Sequence, residues 1–212
     1  MTYPVTLRVA GRRCLVVGGG EVALGKVRGL VAAGALVTVV APDVVPGLRD
    51  IAGVTVEQRT YRAADLDGCR LVISATGDPE VNRQVFADGE AKGVWVNAVD
   101  DPRHCSFTMP AVVRQGALSV AIATDGRSPA VASWLRRRLE DELDPAYAEL
   151  LELLAEEREG LRSSGVSTEG LPWQGALEAG LLDLVREGRV EDARALLRET
   201  IREAIVERTA WQ

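Results

Sequence analysis

The stretch CLVVGGGEVALGK, residues 14–26, decides the fold: an apolar run leads into adjacent glycines and then into apolar residues at helical spacing. A strand that ends in a glycine-rich turn and feeds a helix builds a site for the phosphates of a dinucleotide. Gly18, Gly20 and Ala23 fill the three small-residue positions of the G-x-G-x-x-G/A pattern. The first permits the tight turn, the second lets backbone approach a pyrophosphate, and the third lets the helix pack on the strand. A helix opening near Glu21 turns its free N–H groups and the positive end of its dipole toward those phosphates.

The next apolar run, LVTVVA, ends at Pro42-Asp43, about 25 residues beyond Gly18 and close to the roughly 20-residue offset of a ribose-binding acid. A carboxylate there accepts hydrogen bonds from the ribose hydroxyls and repels a 2′-phosphate, which favours NAD over NADP. Strands are predicted over residues 5–9, 14–17, 36–41, 54–57, 70–75 and 94–98. Helices are predicted over residues 21–33, 63–66 and 78–91, the last with Asp78 as N-cap and Pro79 at its first position. This alternation indicates an α/β fold, a Rossmann-type doubly wound parallel sheet, over residues 1–112.

Farther along, residues 106–109 and 118–123 read as strands joined through Arg114-Gln115-Gly116. Ser128-Pro129 opens a helix with an apolar stripe of Val131, Trp134, Leu135 and Leu139. Helices over residues 146–161, 174–187 and 190–207 make a C-terminal helical domain of residues 146–212.

Composition narrows the function. The chain has 212 residues, 47% of them hydrophobic but only 4% aromatic, so its core is mostly aliphatic. A formal charge of −6 without a basic block argues against nucleic acid as a partner. The N-terminal sequence lacks the apolar core of a signal peptide, and no run has membrane-spanning length, so a cytoplasmic protein without a membrane partner is expected. Cys14, Cys69 and Cys105 form no C-x-x-C pair and read as reduced thiols. His104 is the only histidine, which excludes a histidine-based metal cluster; it reads as a neutral, hydrogen-bonded structural residue.

The segment VNAVDDPRHCSFTMP, residues 96–110, starts at the carboxyl end of a predicted strand, where doubly wound sheets bind ligands. Asp100 and Asp101 are its candidate bases. Together with VGGGEVA, ISATGDPEVN and AIATDGRSPAVASWLRRRLE, it closely resembles the precorrin-2 dehydrogenase/sirohydrochlorin ferrochelatase portion of siroheme synthase and its stand-alone relatives. That resemblance implies oxidation of precorrin-2 to sirohydrochlorin with NAD, in siroheme or cobalamin biosynthesis. It also implies, in some members, insertion of ferrous iron as a substrate.

By position, the family's catalytic aspartate falls on Asp100, leaving Asp101 in an ordinary Asp-Pro turn. The resemblance puts pyrophosphate contacts at Glu21 and Val22, ribose contacts at Pro42 and Asp43, and the nicotinamide beside Thr76, Asn97 and Val99. Thr124 falls where the bifunctional synthases carry a serine near the tetrapyrrole, although ATDGRSP departs from the family's SSGGTSP. Arg127 and Ser128 join it as candidate substrate contacts, a guanidinium and a helix N-terminus that suit a polycarboxylate. Arg103 and Arg114 offer the same chemistry, and for each of the three arginines taken singly a solvated surface role is the favoured reading. The resemblance also implies a homodimer built through residues 113–145. A short-chain dehydrogenase is disfavoured because no tyrosine starts a Tyr-x-x-x-Lys pair. A non-enzymatic NAD-sensing module remains the alternative; it would need the glycines but not the NAVDDP loop.

Overall fold

A computed structural model describes residues 2–210, with side chains described through residue 206; the outer bounds expected at residues 1 and 212 lie outside them. The chain divides at Met109/Pro110 into two compact units.

The first unit carries β1 (Arg13–Val17), α1 (Glu21–Ala32), β2 (Leu36–Ala41), α2 (Pro46–Arg49), β3 (Thr55–Gln58), β4 (Leu71–Ser74), α3 (Pro79–Lys92) and β5 (Trp95–Ala98). Single turns of 3-10 helix cover Ala63–Leu66 and Pro102–His104. The five strands are parallel, in the order β3-β2-β1-β4-β5. The order in which strands are added therefore reverses between β1 and β4, which makes that pair the topological switch point of a Rossmann sheet.

Side chains alternate along each strand, and the core divides accordingly. Cys14, Val16, Val37, Val39, Leu71 and Ile73 pack with Ala23, Leu24, Val27 and Leu30 of α1. Leu15, Val17, Val40, Val72 and Val96 pack with Val85 of α3 and Leu66 on the other face. Burial pushes the Cys14 thiol up to about 11, with Cys69 nearby adding to the effect, so it behaves as a small core residue. Asp78 caps α3, accepting from the N–H groups of Glu80 at 2.9 Å and Val81 at 3.4 Å.

Two strand expectations are corrected. Residues 5–9 form no strand: no strand pairs with them in the sheet, and the segment turns into β1 through Arg12 N–H to Val9 O at 2.9 Å. Residues 106–109 are irregular as well. Val96 O in β5 accepts from Ser106 N–H at 2.8 Å, and Val96 N–H donates to Ser106 Oγ at 2.7 Å, so this segment covers the sheet edge instead of starting a hairpin.

In the second unit the hairpin is β6 (Ala111–Gln115) and β7 (Leu118–Ile122), antiparallel. Gly116, at φ 56, takes a loop position where hairpins favour positive φ. Then come α4 (Pro129–Glu142), α5 (Ala146–Ser163), α6 (Trp173–Ala176), a π segment over Leu177–Leu181 kinked at Gly180, α7 (Leu182–Arg186) and α8 (Val190–Ala210). Leu150, Leu153, Ala176, Leu181, Val185, Ala193, Leu197 and Ile201 form the common core of α5, α6, the π segment, α7 and α8. The hairpin and the later helices lie in one compact unit. A Cβ on Gly116 would lie 2.9 Å from Ala148 Cβ, so the hairpin turn packs directly on α5.

Glu157 of α5 binds Arg194 and Arg198 of α8 at 2.8 and 2.7 Å. The hydrogen bond from Arg198 and then that from Arg194 hold its carboxyl below the ordinary glutamate range. A depressed pKa contributes stability above the unfolded-state value, lost as pH falls through the folded value. Glu157→Gln is expected to lower Tm by roughly 2–4 °C at pH 7, with the difference from wild type shrinking as scanning calorimetry is repeated below the ordinary glutamate pKa.

Candidate functional site

Strand register brings the candidate residues to one edge. Val17 pairs with Val40 on one side and Ser74 on the other, and Ser74 pairs with Ala98. Four neighbouring strands thus end level, and the chain leaves them through Gly18, Pro42-Asp43, Ala75-Thr76 and Val99-Asp100. The ladder runs one step farther, through Gly18 N–H to Val40 O at 3.0 Å, Ala75 N–H to Val17 O at 2.7 Å and Val99 N–H to Ser74 O at 2.8 Å.

The glycines differ in what they permit. Gly18 has φ 121, and a Cβ there would overlap the Ala75 carbonyl oxygen. A Cβ on Gly19 would overlap the Asp43 carbonyl, while Val45 N–H donates to Gly19 O at 2.8 Å. The loop after β2 is thereby locked against the glycine turn. Gly19 was not among the residues singled out by the sequence pattern; its requirement arises from a contact with a loop more than 20 residues away. Gly20, the N-cap of α1, faces open space and no side chain caps the helix.

These features suit a dinucleotide. The first N–H groups of α1 are left to a ligand, Glu21 and Val22 are exposed beside them, and Ala23 is fully buried against the sheet. Pro42 and Asp43 are exposed at the end of β2. Thr76 is half-buried at the end of β4; its Oγ1 accepts from Asp78 N–H at 3.2 Å.

Asp100 is exposed and has φ 58; among the described residues only it and Asp125 combine a side chain with positive φ. Asp101 N–H donates to Ala98 O at 3.3 Å, closing a turn with Asp100 at its third position, where type II geometry demands positive φ. An aspartate there costs about 1 kcal/mol relative to relaxed backbone, and such strain concentrates at functional sites.

The scaffold beneath Asp100 is polar and buried. Asn97 Nδ2 donates to Phe107 O at 2.9 Å and reaches Cys105 Sγ at 3.6 Å, so its side chain shapes the loop. Burial raises the Cys105 pKa, and the protonated thiol donates to Ala98 O at 3.2 Å while accepting from Ala98 N–H at 3.2 Å. Beneath β4, Ser74 Oγ donates to Asn82 Oδ1 at 2.7 Å inside the core, a pairing that periodicity alone did not reveal.

Thr124, Arg127 and Ser128 belong to the second unit and gather in one turn. Arg127 N–H donates to Thr124 O at 3.0 Å, Ser128 N–H to Thr124 Oγ1 at 3.2 Å, and Ser128 Oγ caps α4 by accepting from Val131 N–H at 3.2 Å.

Residues 5–111 match the family described as putative NAD(P)-binding, and residues 115–142 match the sirohaem biosynthesis protein central domain. A siroheme synthase of Chromobacterium violaceum is 40% identical over 94% of this chain and 43% of its own length. One from Pseudomonas putida strain F1 is 40% identical over 93% and 44%, respectively. The chain thus spans less than half the length of these relatives. A solved structure titled SirC, precorrin-2 dehydrogenase, superposes with a TM-score of 0.70 at 27% identity, covering 95% of this chain and 98% of that one.

The two turn glycines separate fold from binding. Gly19→Ala is expected to destabilise by about 1–3 kcal/mol through overpacking. Gly20→Ala is expected to stay within about 1 kcal/mol of wild type and yet weaken NAD binding at least tenfold. Calorimetry paired with NAD titration distinguishes them.

Proposed function

This chain belongs to the siroheme synthase and precorrin-2 dehydrogenase family of NAD(P)-binding proteins, and from that premise we propose that it oxidises precorrin-2 to sirohydrochlorin with NAD. The observation that carries the reading is the exposed carboxylate of Asp100, held in left-handed backbone at the same sheet edge as the glycine turn and Asp43.

The substrate gives up a hydride and a proton and gains a double bond. NAD, when bound, supplies the hydride acceptor. The N–H groups at Glu21 and Val22 take the pyrophosphate, and Asp43, behind Pro42, takes the ribose hydroxyls and disfavours a 2′-phosphate. Thr76 and Val99 border the nicotinamide, with Asn97 holding the loop behind them. Asp100 accepts the proton; its carboxylate is the general base. Thr124, Arg127 and the N-terminus of α4 at Ser128 receive the substrate's carboxylates. A sensing module would need the glycine turn and Asp43, but not an acid in strained backbone at the strand edge.

Insertion of ferrous iron into the product is the second activity that the family resemblance implies, with Asp100 drawing protons from the pyrrole nitrogens. We place self-association on α4, which exposes Val131 and Trp134, and the protein in the cytoplasm, where its three free cysteines stay reduced. Among the described residues no helix is long and apolar enough to cross a membrane.

Anaerobic mixing of the chain with precorrin-2 and NAD should produce the sirohydrochlorin spectrum, and added ferrous iron then reports on chelation. Absence of NAD-dependent oxidation would contradict the proposal. Asp100→Asn, which tolerates positive φ, is expected to lower kcat roughly 10²–10⁴-fold with NAD affinity unchanged. Asp43→Ala should instead weaken NAD and relax discrimination against NADP, read from NAD and NADP titrations.

A further inference from the structure

We propose that Asp101 and His104 are a positioning pair that holds the Asp100 carboxylate in place, an assignment that rests on Asp100 being the base of the proposed oxidation. Asp100 occupies a turn position that glycine fills without strain, so its backbone must be held by its neighbours, and Asp101 is the one on its C-terminal side. Asp101 supplies the hold from every polar group it has. Its N–H donates to Ala98 O at 3.3 Å, and its carbonyl accepts from His104 N–H at 3.1 Å and lies 3.3 Å from Cys105 Sγ, whose one proton it shares with Ala98 O. Its Oδ2 lies 2.7 Å from His104 Nδ1.

That last contact closes the Pro102–His104 turn from the side-chain direction. The Asp101 and His104 side chains are 24% and 25% exposed, shielded enough for the bond to count for more than a pair in open solvent. His104 is also tied to the body of the unit: Phe86 of α3 meets its ring edge-on, with centroids 5.5 Å apart. The chain of contacts runs from α3 through His104 to Asp101 and, across one peptide bond, to Asp100. A carboxylate only accepts, so the assignment makes Nδ1 the donor of this bond. His104 acts through Asp101 and touches neither substrate nor cofactor in this assignment.

The decisive atom is Nδ1, and three substitutions isolate it. His104→Ala removes ring and donor, His104→Phe keeps the ring against Phe86 without the donor, and His104→Asn places an N–H near the Nδ1 position without the ring. In the anaerobic assay His104→Ala and His104→Phe are expected to lose roughly tenfold to a hundredfold in kcat, the penalty of a misplaced catalytic group, with KM for NAD and precorrin-2 unchanged. His104→Asn should regain most of that loss. Because this is the only histidine, nitrogen-15 labelling of histidine in the full chain yields a single imidazole. Its NMR spectrum at neutral pH should show a proton on Nδ1 in wild type and the Nε2-protonated tautomer in Asp101→Ala. Wild-type kcat in His104→Ala, rescue by Phe but not Asn, or an Nε2–H tautomer in wild type would each overturn the positioning role alone. A wild type that does not oxidise precorrin-2 would overturn the proposed function and this role with it.

Discussion

Everything at the ligand edge depends on a backbone crossing too close for a side chain. After β1 the chain passes between the Ala75 carbonyl on one side and the Asp43 carbonyl on the other, and a Cβ at Gly18 or Gly19 would collide with one of them. This contact unites three elements that are separate in sequence. It sets the N-terminus of α1 beside the loop after β2, and that loop beside the switch point of the sheet. A free helix N-terminus, a carboxylate at the end of the neighbouring strand and open space over Gly20 are then consequences of the same crossing. Together they form a cradle suited to the phosphates and ribose of a dinucleotide.

The acid loop after β5 obeys a different physical logic. Glycine makes the phosphate turn permissive, whereas the loop at Asp100 places an aspartate where glycine would be cheaper and restrains it by hydrogen bonds. Cys105 grips both backbone groups of Ala98, Asn97 grips Phe107, and Ser106 grips Val96. The segment that covers the open edge of the sheet is thus also the segment that braces the proposed base. An edge strand left bare would invite pairing with another chain, so one piece of irregular backbone meets a folding need and a chemical one.

Much of this was legible from residues. The run Leu36–Ala41 is apolar apart from Thr38 and emerges as β2 with those bounds. Asp78-Pro79 and Ser128-Pro129 announce the starts of α3 and α4 because an N-cap residue with proline at the next position has few other uses. What remained hidden depends on partners distant in sequence. Residues 5–9 alternate like a strand but meet no ladder, and residues 106–109 spend their hydrogen bonds on β5 instead of on a hairpin. Gly19 looked interchangeable with its neighbours until the β2 loop was placed against it. The strained φ of Asp100 has no sequence signature, since Asp-Asp-Pro also suits a relaxed turn, and the Asp101–His104 contact requires knowing that the intervening residues coil into a 3-10 turn.

A crystal structure of the full chain with NAD bound tests the central claim most directly. The cradle requires the pyrophosphate on the N–H groups of Glu21 and Val22, the adenosine ribose on Asp43, and the nicotinamide at the ends of β4 and β5 beside Asp100. A dinucleotide seated away from the α1 N-terminus, or with its nicotinamide remote from Asp100, would contradict it.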